Sequence, residues 1–226
     1  MTRLIDQLFD NNGRPALICF VGKSYSGKSY FIRYYISNGL LTKKFKFGMV
    51  FTKTKFNKDY DFLPDKAVYD GYNEEALKQY ISNLERMKRK QGVNMPRSFL
   101  VLDDIQGVLS DQTEFMNNFL ARHRHYNITL IVAIQYLGGR RGVSPLFREQ
   151  CTHAVMFKSK TKKTLENLFL AFGQLFNSLE DFKRYFFAAT EQKHSAMLYT
   201  EQIDDLEDNY QTIQAPANVP KMKFKF

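Results

Sequence analysis

One segment of the chain, Gly22 to Ser29, constrains its fold more than any other. Its sequence, G-K-S-Y-S-G-K-S, matches the pattern G-x-x-x-x-G-K-[ST] at every fixed position. The continuous apolar run from Ala16 to Val21 precedes it and predicts a strand that is buried on both faces. Aromatic residues at helical spacing follow it between Gly27 and Ser37. A strand, a glycine-rich turn and a helix in this order predict a phosphate-binding loop.

Each fixed residue of this loop has a chemical role. The glycines let the backbone fold around an anion, so that its N–H groups and the start of the helix face the phosphates. We expect Lys28 to reach the β- and γ-phosphates and the Ser29 hydroxyl to bind Mg²⁺. The expected cofactors are therefore ATP and Mg²⁺. The residues expected to contact the nucleotide are Gly22, Lys23, Ser24, Tyr25, Ser26, Gly27, Lys28, Ser29 and Tyr30.

Polar side chains follow two later apolar runs. Asp103 and Asp104 come directly after S-F-L-V-L, and Gln135 comes directly after I-T-L-I-V-A-I. We expect Asp103 to bind Mg²⁺, Asp104 to polarise the water that attacks the γ-phosphate, and Gln135 to sense that phosphate. The alternatives are a helix cap or solvated acid for Asp104 and an amide that caps a turn for Gln135.

Apolar runs and amphipathic segments alternate along the chain. This alternation predicts an α/β fold of three layers, with helices on both faces of a mainly parallel sheet and the ligand at the carboxyl ends of the strands. Asn38-Gly39 is expected to end the first helix. Further strands are expected at Phe45–Phe51, Ser98–Leu102, Ile128–Ile134, Thr152–Phe157 and Ala196–Tyr199, and further helices at Asn73–Lys90, Asp111–Arg122 and Lys162–Phe172.

The length of 226 residues suits one α/β domain with short tails. We expect an N-terminal segment at 1–15, a P-loop ATPase domain at 16–205 and a C-terminal tail at 206–226 that ends in K-M-K-F-K-F. No apolar run reaches the roughly 18 residues of a membrane helix, and residues 1–12 lack the apolar core of a secretory signal. Cys19 and Cys151 are expected to be reduced core thiols.

The chain is basic, with 33 Lys and Arg against 23 Asp and Glu and a net charge of +10. Such a charge suits a polyanionic partner, although solvated faces are also rich in lysine. The clusters lie in predicted loops around the nucleotide site, where they can follow a phosphate backbone. They are Lys43, Lys44 and Lys46; Lys53, Lys55 and Lys58; Lys88, Arg89 and Lys90; and Lys158, Lys160, Lys162 and Lys163.

Two groups of arginines are candidates for a finger that enters a neighbouring subunit's active site. The first is Arg122 and Arg124; the second is Arg140, Arg141 and Arg148. Sequence alone does not choose among them. His123 and His125 have no cysteine or acidic partners at ligand spacing, so we interpret them as packing or interface residues.

The combination G-K-S-Y-S-G-K-S, S-F-L-V-L-D-D, R-H-Y-N-I-T-L-I-V-A-I-Q-Y and L-F-R-E-Q-C resembles the genome-packaging ATPases of poxviruses and other large DNA viruses, within the FtsK and HerA superfamily. The similarity covers roughly Ala16 to Lys158. It implies a RecA-like core of the ASCE class, with the Gln135 strand between the phosphate-loop strand and the acidic strand. The superfamily often has Asp-Glu where this chain has Asp103-Asp104.

The resemblance also implies partners. These are double-stranded viral DNA, a homo-oligomeric ring of five or six copies, and a capsid vertex or virion membrane protein. Arg124 and Arg148 would act between subunits, and the location would be the virion or a virus factory inside the host cell. The alternatives are a P-loop kinase, a GTPase switch, which would need N-K-x-D after the acidic strand, and a scaffold that binds ATP without cycling.

Overall fold

The computed structural model describes residues 13–111, 113–139, 142–201, 209–216, 218–219 and 222–226. Its strands form one sheet of eight: β1 (Leu17–Val21), β2 (Phe47–Thr52), β3 (Val68–Asp70), β4 (Ser98–Asp103), β5 (Ile128–Ile134), β6 (His153–Phe157), β7 (Ser195–Thr200) and β8 (Tyr210–Gln214). The α-helices are α1 (Lys28–Leu41), α2 (Glu74–Gln91), α3 (Gln106–Ser110), α4 (Glu114–Arg122), α5 (Pro145–Glu149), α6 (Lys162–Phe172) and α7 (Leu179–Ala189).

The strand order is β3-β2-β4-β5-β1-β6-β7-β8. The first six strands of the chain pair in parallel, and β7 and β8 pair in antiparallel at one end of the sheet. Strand β5 therefore lies between the phosphate-loop strand β1 and the acidic strand β4, as the resemblance implied. The central strands β1 and β5 are continuous apolar runs because both of their faces are covered by other elements.

Alternate side chains of β1 pack in two separate hydrophobic cores, one on each face of the sheet. Ile18 and Phe20 pack with Phe31 and Ile32 of α1 on one face. Leu17, Cys19 and Val21 face a second core formed with helices α2, α4, α5, α6 and α7. Both Cys19 and Cys151 are buried free thiols, as expected. The predicted three-layer α/β fold is confirmed.

The prediction that Asn38-Gly39 ends the first helix is wrong, because α1 continues to Leu41. The glycine at position 39 is explained by close packing instead, because a Cβ there would lie 2.4 Å from the ring of Phe45. The helix predicted at Asp111–Arg122 is present as α4 and ends at Arg122 as predicted, but it begins later, at Glu114. Helix α3 ends at Ser110, and α4 begins after Thr113, whose hydroxyl accepts a hydrogen bond from the N–H of Met116 at 3.2 Å.

The C-terminal part differs from the predicted tail, because Tyr210–Gln214 pairs with β7 as the last strand of the sheet. Beyond it, the Tyr30 hydroxyl donates to the Pro216 carbonyl at 2.9 Å, and Phe224 and Phe226 pack against the α1 side of the core. Residues 1–12, most of the predicted N-terminal segment, lie outside the described residues, as do 202–208 and Arg140 and Arg141. Within the described part of the chain, no helix is long and apolar enough to cross a membrane.

Candidate functional site

The phosphate loop leaves the end of β1 and turns directly into α1. The Gly22 N–H donates to the Ile134 carbonyl at 3.1 Å, which fixes the start of the loop to the end of β5. A Cβ on Gly22 would lie 2.7 Å from the Ser26 hydroxyl oxygen and 2.8 Å from Cβ of Phe157, so only glycine fits. Gly27 has φ of +103°, a conformation that glycine adopts without strain. The sequence pattern thus reflects both tight packing and backbone geometry.

Lys28 lies across the loop that contains it. Its ammonium donates to the backbone carbonyls of Gly22 at 2.7 Å and Lys23 at 2.8 Å. Partial burial lowers the Lys28 pKa, and the nearby carboxylates of Asp103 and Asp104 oppose that shift. The ammonium is therefore held at the loop, on the first turn of α1, where a helix N-terminus favours phosphate.

Ser29 and Asp103 form the oxygen pair expected for Mg²⁺. The Ser29 hydroxyl donates to Oδ2 of Asp103 at 3.2 Å. Burial raises the Asp103 pKa, while hydrogen bonds from Tyr60 and Ser29 and the charge of Lys28 oppose the shift. Mg²⁺ commonly takes one or two protein oxygens together with nucleotide phosphates. The two side chains present fit that cation.

Asp104 and Gln135 meet across the ends of β4 and β5. The Gln135 side-chain amide donates to Oδ1 of Asp104 at 3.3 Å. Asp104 has φ of +59°, a left-handed conformation that aspartate tolerates better than most residues. This turn carries the exposed Asp104 carboxylate away from the buried Asp103 and towards the neighbouring strand. The predicted water-polarising acid and the predicted sensor thus form one hydrogen-bonded pair.

One cavity of about 560 Å³ connects these groups at the carboxyl edge of the parallel strands. Its volume is typical of sites for small molecules and cofactors. The loop after β2 contributes part of the cavity wall. The lining residues are Ser24, Tyr25, Ser26, Gly27, Lys28, Ser29, Tyr30, Thr54, Asn57, Asp59, Asp103, Asp104, Ala133 and Gln135. Gly22 and Lys23, also predicted nucleotide contacts, do not line this cavity and instead accept hydrogen bonds from Lys28.

Sequence reasoning missed two residues beside the site. The buried Tyr60 donates its hydroxyl to Oδ2 of Asp103 at 2.8 Å, and burial raises the Tyr60 pKa well above its ordinary value. The Gln106 side-chain oxygen accepts hydrogen bonds from the backbone N–H groups of Gln135 at 3.0 Å and Tyr136 at 3.2 Å. Neither residue belongs to a spaced motif, so the sequence carried no signal for them.

The structure does not bring Arg124 or Arg148 to this cavity. Arg124 precedes β5 and donates to the Gln150 carbonyl at 3.1 Å, at the amino edge of the sheet. Arg148 lies in α5, four residues before Thr152, whose N–H donates to the Leu17 carbonyl at the start of β1. About 20 Å of strand β5 separate the Arg124 end from Gln135. Both arginines therefore lie far from the phosphate loop of their own chain.

Comparison with known proteins gives matches of several kinds. Uncharacterized protein 075L of Invertebrate iridescent virus 6 is 25% identical over 171 residues, which is 74% of this chain and 64% of that protein. Uncharacterized protein 088R of Invertebrate iridescent virus 3 is 27% identical over 132 residues, 56% of this chain and 48% of that protein. The chain thus spans less than two thirds of the length of either relative.

Two solved structures share the fold. The genome packaging NTPase B204 from Sulfolobus turreted icosahedral virus 2, in complex with AMPPCP, is similar with a TM-score of 0.65 and 16% identity over 91% of this chain and 100% of that chain. The cytoplasmic domain of the type VII secretion ATPase EccC from Thermomonospora curvata is similar with a TM-score of 0.60 and 16% identity, over 89% of this chain and 25% of that one.

The family assignment comes from a third comparison. The family model described as "Poxvirus A32 protein" matches residues 7–178, which is more than half of the chain and includes the phosphate loop, Asp103, Asp104 and Gln135. The resemblance to poxvirus packaging ATPases drawn from the sequence is confirmed by this match. The chain belongs to the poxvirus A32 protein family.

Proposed function

We propose that this protein is an ATPase that uses hydrolysis to move double-stranded DNA into a viral capsid. The observation that carries the proposal is the cavity at which Lys28, the Ser29–Asp103 pair and the Asp104–Gln135 pair converge. Phosphate binding, metal binding and water activation need these three kinds of group together. Their presence in a chain of this family favours hydrolysis over a phosphate loop that only binds.

Each side chain has one role in the proposed reaction. The loop backbone and Lys28 bind the β- and γ-phosphates, and Ser29 with Asp103 would hold Mg²⁺, which when bound neutralises charge on the phosphate oxygens. Asp104 orients and polarises the attacking water. Gln135, bonded to Asp104, is in a position to report the presence of the γ-phosphate to that acid.

The charge distribution supports a nucleic-acid partner. Two lysine clusters, exposed except for the half-buried Lys55, lie at the carboxyl edge of the sheet, one after β2 and one after β6, on the same edge as the nucleotide cavity. Lysines near a phosphate backbone release counterions and give binding that weakens with salt. These residues are Lys53, Lys55 and Lys58, and Lys158, Lys160, Lys162 and Lys163.

The position of the arginines supports a ring. Because Arg124 and Arg148 lie at the amino edge, each can reach a γ-phosphate only in another copy of the chain. A head-to-tail interface between copies closes into a ring, and we propose five or six subunits around the DNA. The similar fold of B204, a genome packaging NTPase, supports the same use of the fold in this protein. We further propose docking at a capsid vertex or virion membrane protein, in the virion or the virus factory.

The proposal is tested by ATP turnover of the purified protein with and without double-stranded DNA. We expect DNA to stimulate turnover, and we expect the stimulation to decrease as salt is raised. Replacing Lys160, Lys162 and Lys163 by glutamate should reduce the stimulation without changing turnover in the absence of DNA. Turnover that does not respond to DNA at any salt concentration would contradict translocation.

A further inference from the structure

Tyr60 is a partner of the buried carboxylate of Asp103. Its hydroxyl lies 2.8 Å from Oδ2 of Asp103, closer than the Ser29 hydroxyl, which lies 3.2 Å from the same oxygen. Among the residues that the structure describes, Oδ1 of Asp103 accepts no hydrogen bond. Two donors on one oxygen fix the rotation of the carboxylate and leave its other oxygen available to a cation.

The strand register explains why Tyr60 lies there. Thr52 at the end of β2 pairs with Asp103 at the end of β4, so the loop that leaves β2 passes beside the Asp103 side chain. Tyr60 is buried in this loop, with 3% of its surface exposed. The contact therefore follows from the sheet and does not depend on a mobile surface side chain.

The loop is held on both sides of Tyr60. Asp59 forms an ion pair with Arg33 of α1 at 3.6 Å. The Phe62 carbonyl accepts a hydrogen bond from the Phe224 N–H at 2.8 Å, and the rings of Phe62 and Phe224 pack edge to face with centroids 6.3 Å apart. The C-terminal segment thus braces the residues that present the Tyr60 hydroxyl.

We propose that Tyr60 is a positioning residue, whose hydroxyl holds Asp103 in the orientation that binds Mg²⁺ when ATP is bound. The inference rests on the proposed function, because it requires that Asp103 binds the cation. An aromatic ring alone would satisfy packing at this position. The hydroxyl adds an oriented donor to a metal-binding carboxylate, and such partners of metal ligands typically change metal affinity by about 10- to 100-fold.

The test measures the affinity of a fluorescent ATP analogue in EDTA and across a titration of Mg²⁺. In the variant Tyr60→Phe we expect the Mg²⁺ concentration for half-maximal tightening of nucleotide binding to rise about tenfold. Affinity in EDTA should stay at the wild-type value, because the phosphate loop is untouched. Tyr72→Phe is the matched control, since the buried Tyr72 hydroxyl has no hydrogen-bond partner among the described residues, and it should behave as wild type.

Either of two results in Tyr60→Phe would overturn the inference: an unchanged Mg²⁺ dependence, or an equal loss of affinity in EDTA and in Mg²⁺, which would show a structural role. Wild-type binding that Mg²⁺ does not tighten would also overturn it. If wild-type binding tightens but no ATP is hydrolysed, the proposed function fails while the role of Tyr60 stands. If Tyr60→Phe has a lowered melting temperature, Phe224→Ala, which loosens the same loop, replaces it in the test. The inference then requires Phe224→Ala to raise the Mg²⁺ concentration for half-maximal tightening of nucleotide binding.

Discussion

The two edges of the parallel sheet hold their functional side chains in different ways. At the carboxyl edge, Ser29 bonds to Asp103 and Gln135 bonds to Asp104, so the expected metal and water groups are assembled within one chain. At the amino edge, Arg124 bonds to a backbone carbonyl of its own subunit. The difference indicates that one chain can supply the phosphate, metal and water ligands of the proposed reaction, and it supports our proposal that Arg124 and Arg148 act on another copy.

The largest expected effect comes from removing an arginine that we propose acts between subunits. We expect Arg124→Ala or Arg148→Ala to lower turnover on the order of 10³-fold, the typical contribution of an arginine finger, while ATP binding is retained. Arg89→Ala, an exposed position on α2, is the control and should keep wild-type turnover. The measurement is steady-state phosphate release.

Mixing subunits tests whether that arginine acts between copies. An inactive arginine variant has an intact Asp104, and an Asp104→Asn subunit has intact arginines. A mixture of the two should recover part of the turnover, because some interfaces then combine a working acid with a working arginine. No recovery of turnover in the mixture, or full activity in both arginine variants, would contradict the proposed contrast between the edges.

The second effect concerns stability at the amino edge. His123 is fully buried, with Nδ1 2.8 Å from the Ile128 carbonyl, and burial lowers its pKa to about 4. Between pH 6.5 and about 4 the unfolded chain binds a proton that the folded chain does not, so stability decreases as the pH falls. The loss across this window is roughly 3 kcal/mol, from a shift of about two and a half pKa units.

Urea denaturation at pH 7, 5 and 4 measures this loss. His123→Gln should lower the free energy of unfolding at pH 7, because it disturbs a buried hydrogen bond, yet its stability should depend less on pH than that of wild type. His125→Gln, at an exposed position two residues away, should keep the wild-type pH dependence. Equal slopes for wild type and His123→Gln would show that His123 is not the group responsible.

The carboxyl edge was predicted from sequence better than the rest of the molecule. Continuous apolar runs located β1, β4 and β5 to within a residue, because strands covered on both faces must be apolar throughout. The polar residue after each run then had to lie at one edge. Parallel pairing alone brought Asp104 and Gln135 together, so their contact followed from local sequence and topology.

Other features depended on contacts that no local pattern encodes. Strand β3 has three residues, too few to show alternation, and β8 is stabilised by pairing with β7 at the end of the sheet. Gly39 resembles a helix stop in sequence, but its role is close packing against Phe45. Tyr60 reaches Asp103 only because β2 and β4 pair in a particular register.

The third prediction concerns Asp104 at the carboxyl edge. We expect Asp104→Asn to lower turnover on the order of 10²-fold, since an amide cannot accept the proton of the attacking water, while ATP affinity stays within twofold, about 0.4 kcal/mol. Asp111→Asn, an exposed acid outside the cavity lining, is the control. Active wild type with an inactive, ATP-binding Asp104→Asn would exclude the scaffold alternative, whereas unchanged turnover would exclude Asp104 as the base.

The smallest expected effect concerns the backbone that positions Gln135 beside Asp104. The Gln106 side-chain oxygen accepts from the N–H groups of Gln135 and Tyr136, and its amide donates to the Tyr136 carbonyl at 2.6 Å. Gln106→Leu removes these bonds and frees the backbone that carries Gln135. We expect turnover to fall about tenfold, equivalent to roughly 1.4 kcal/mol on the barrier, with ATP affinity unchanged.

The matched control is Gln79→Leu, an exposed position on α2, which should leave turnover unchanged. If Gln106→Leu also keeps wild-type turnover, the side-chain bond to Asp104 is sufficient to orient Gln135. If turnover falls and ATP affinity falls equally, Gln106 supports the cavity as a whole. A loss confined to turnover would show that the carboxyl edge depends on the order of the backbone after β5. The arginines at the amino edge would not share this requirement under our proposal, in which they contact the γ-phosphate of another subunit.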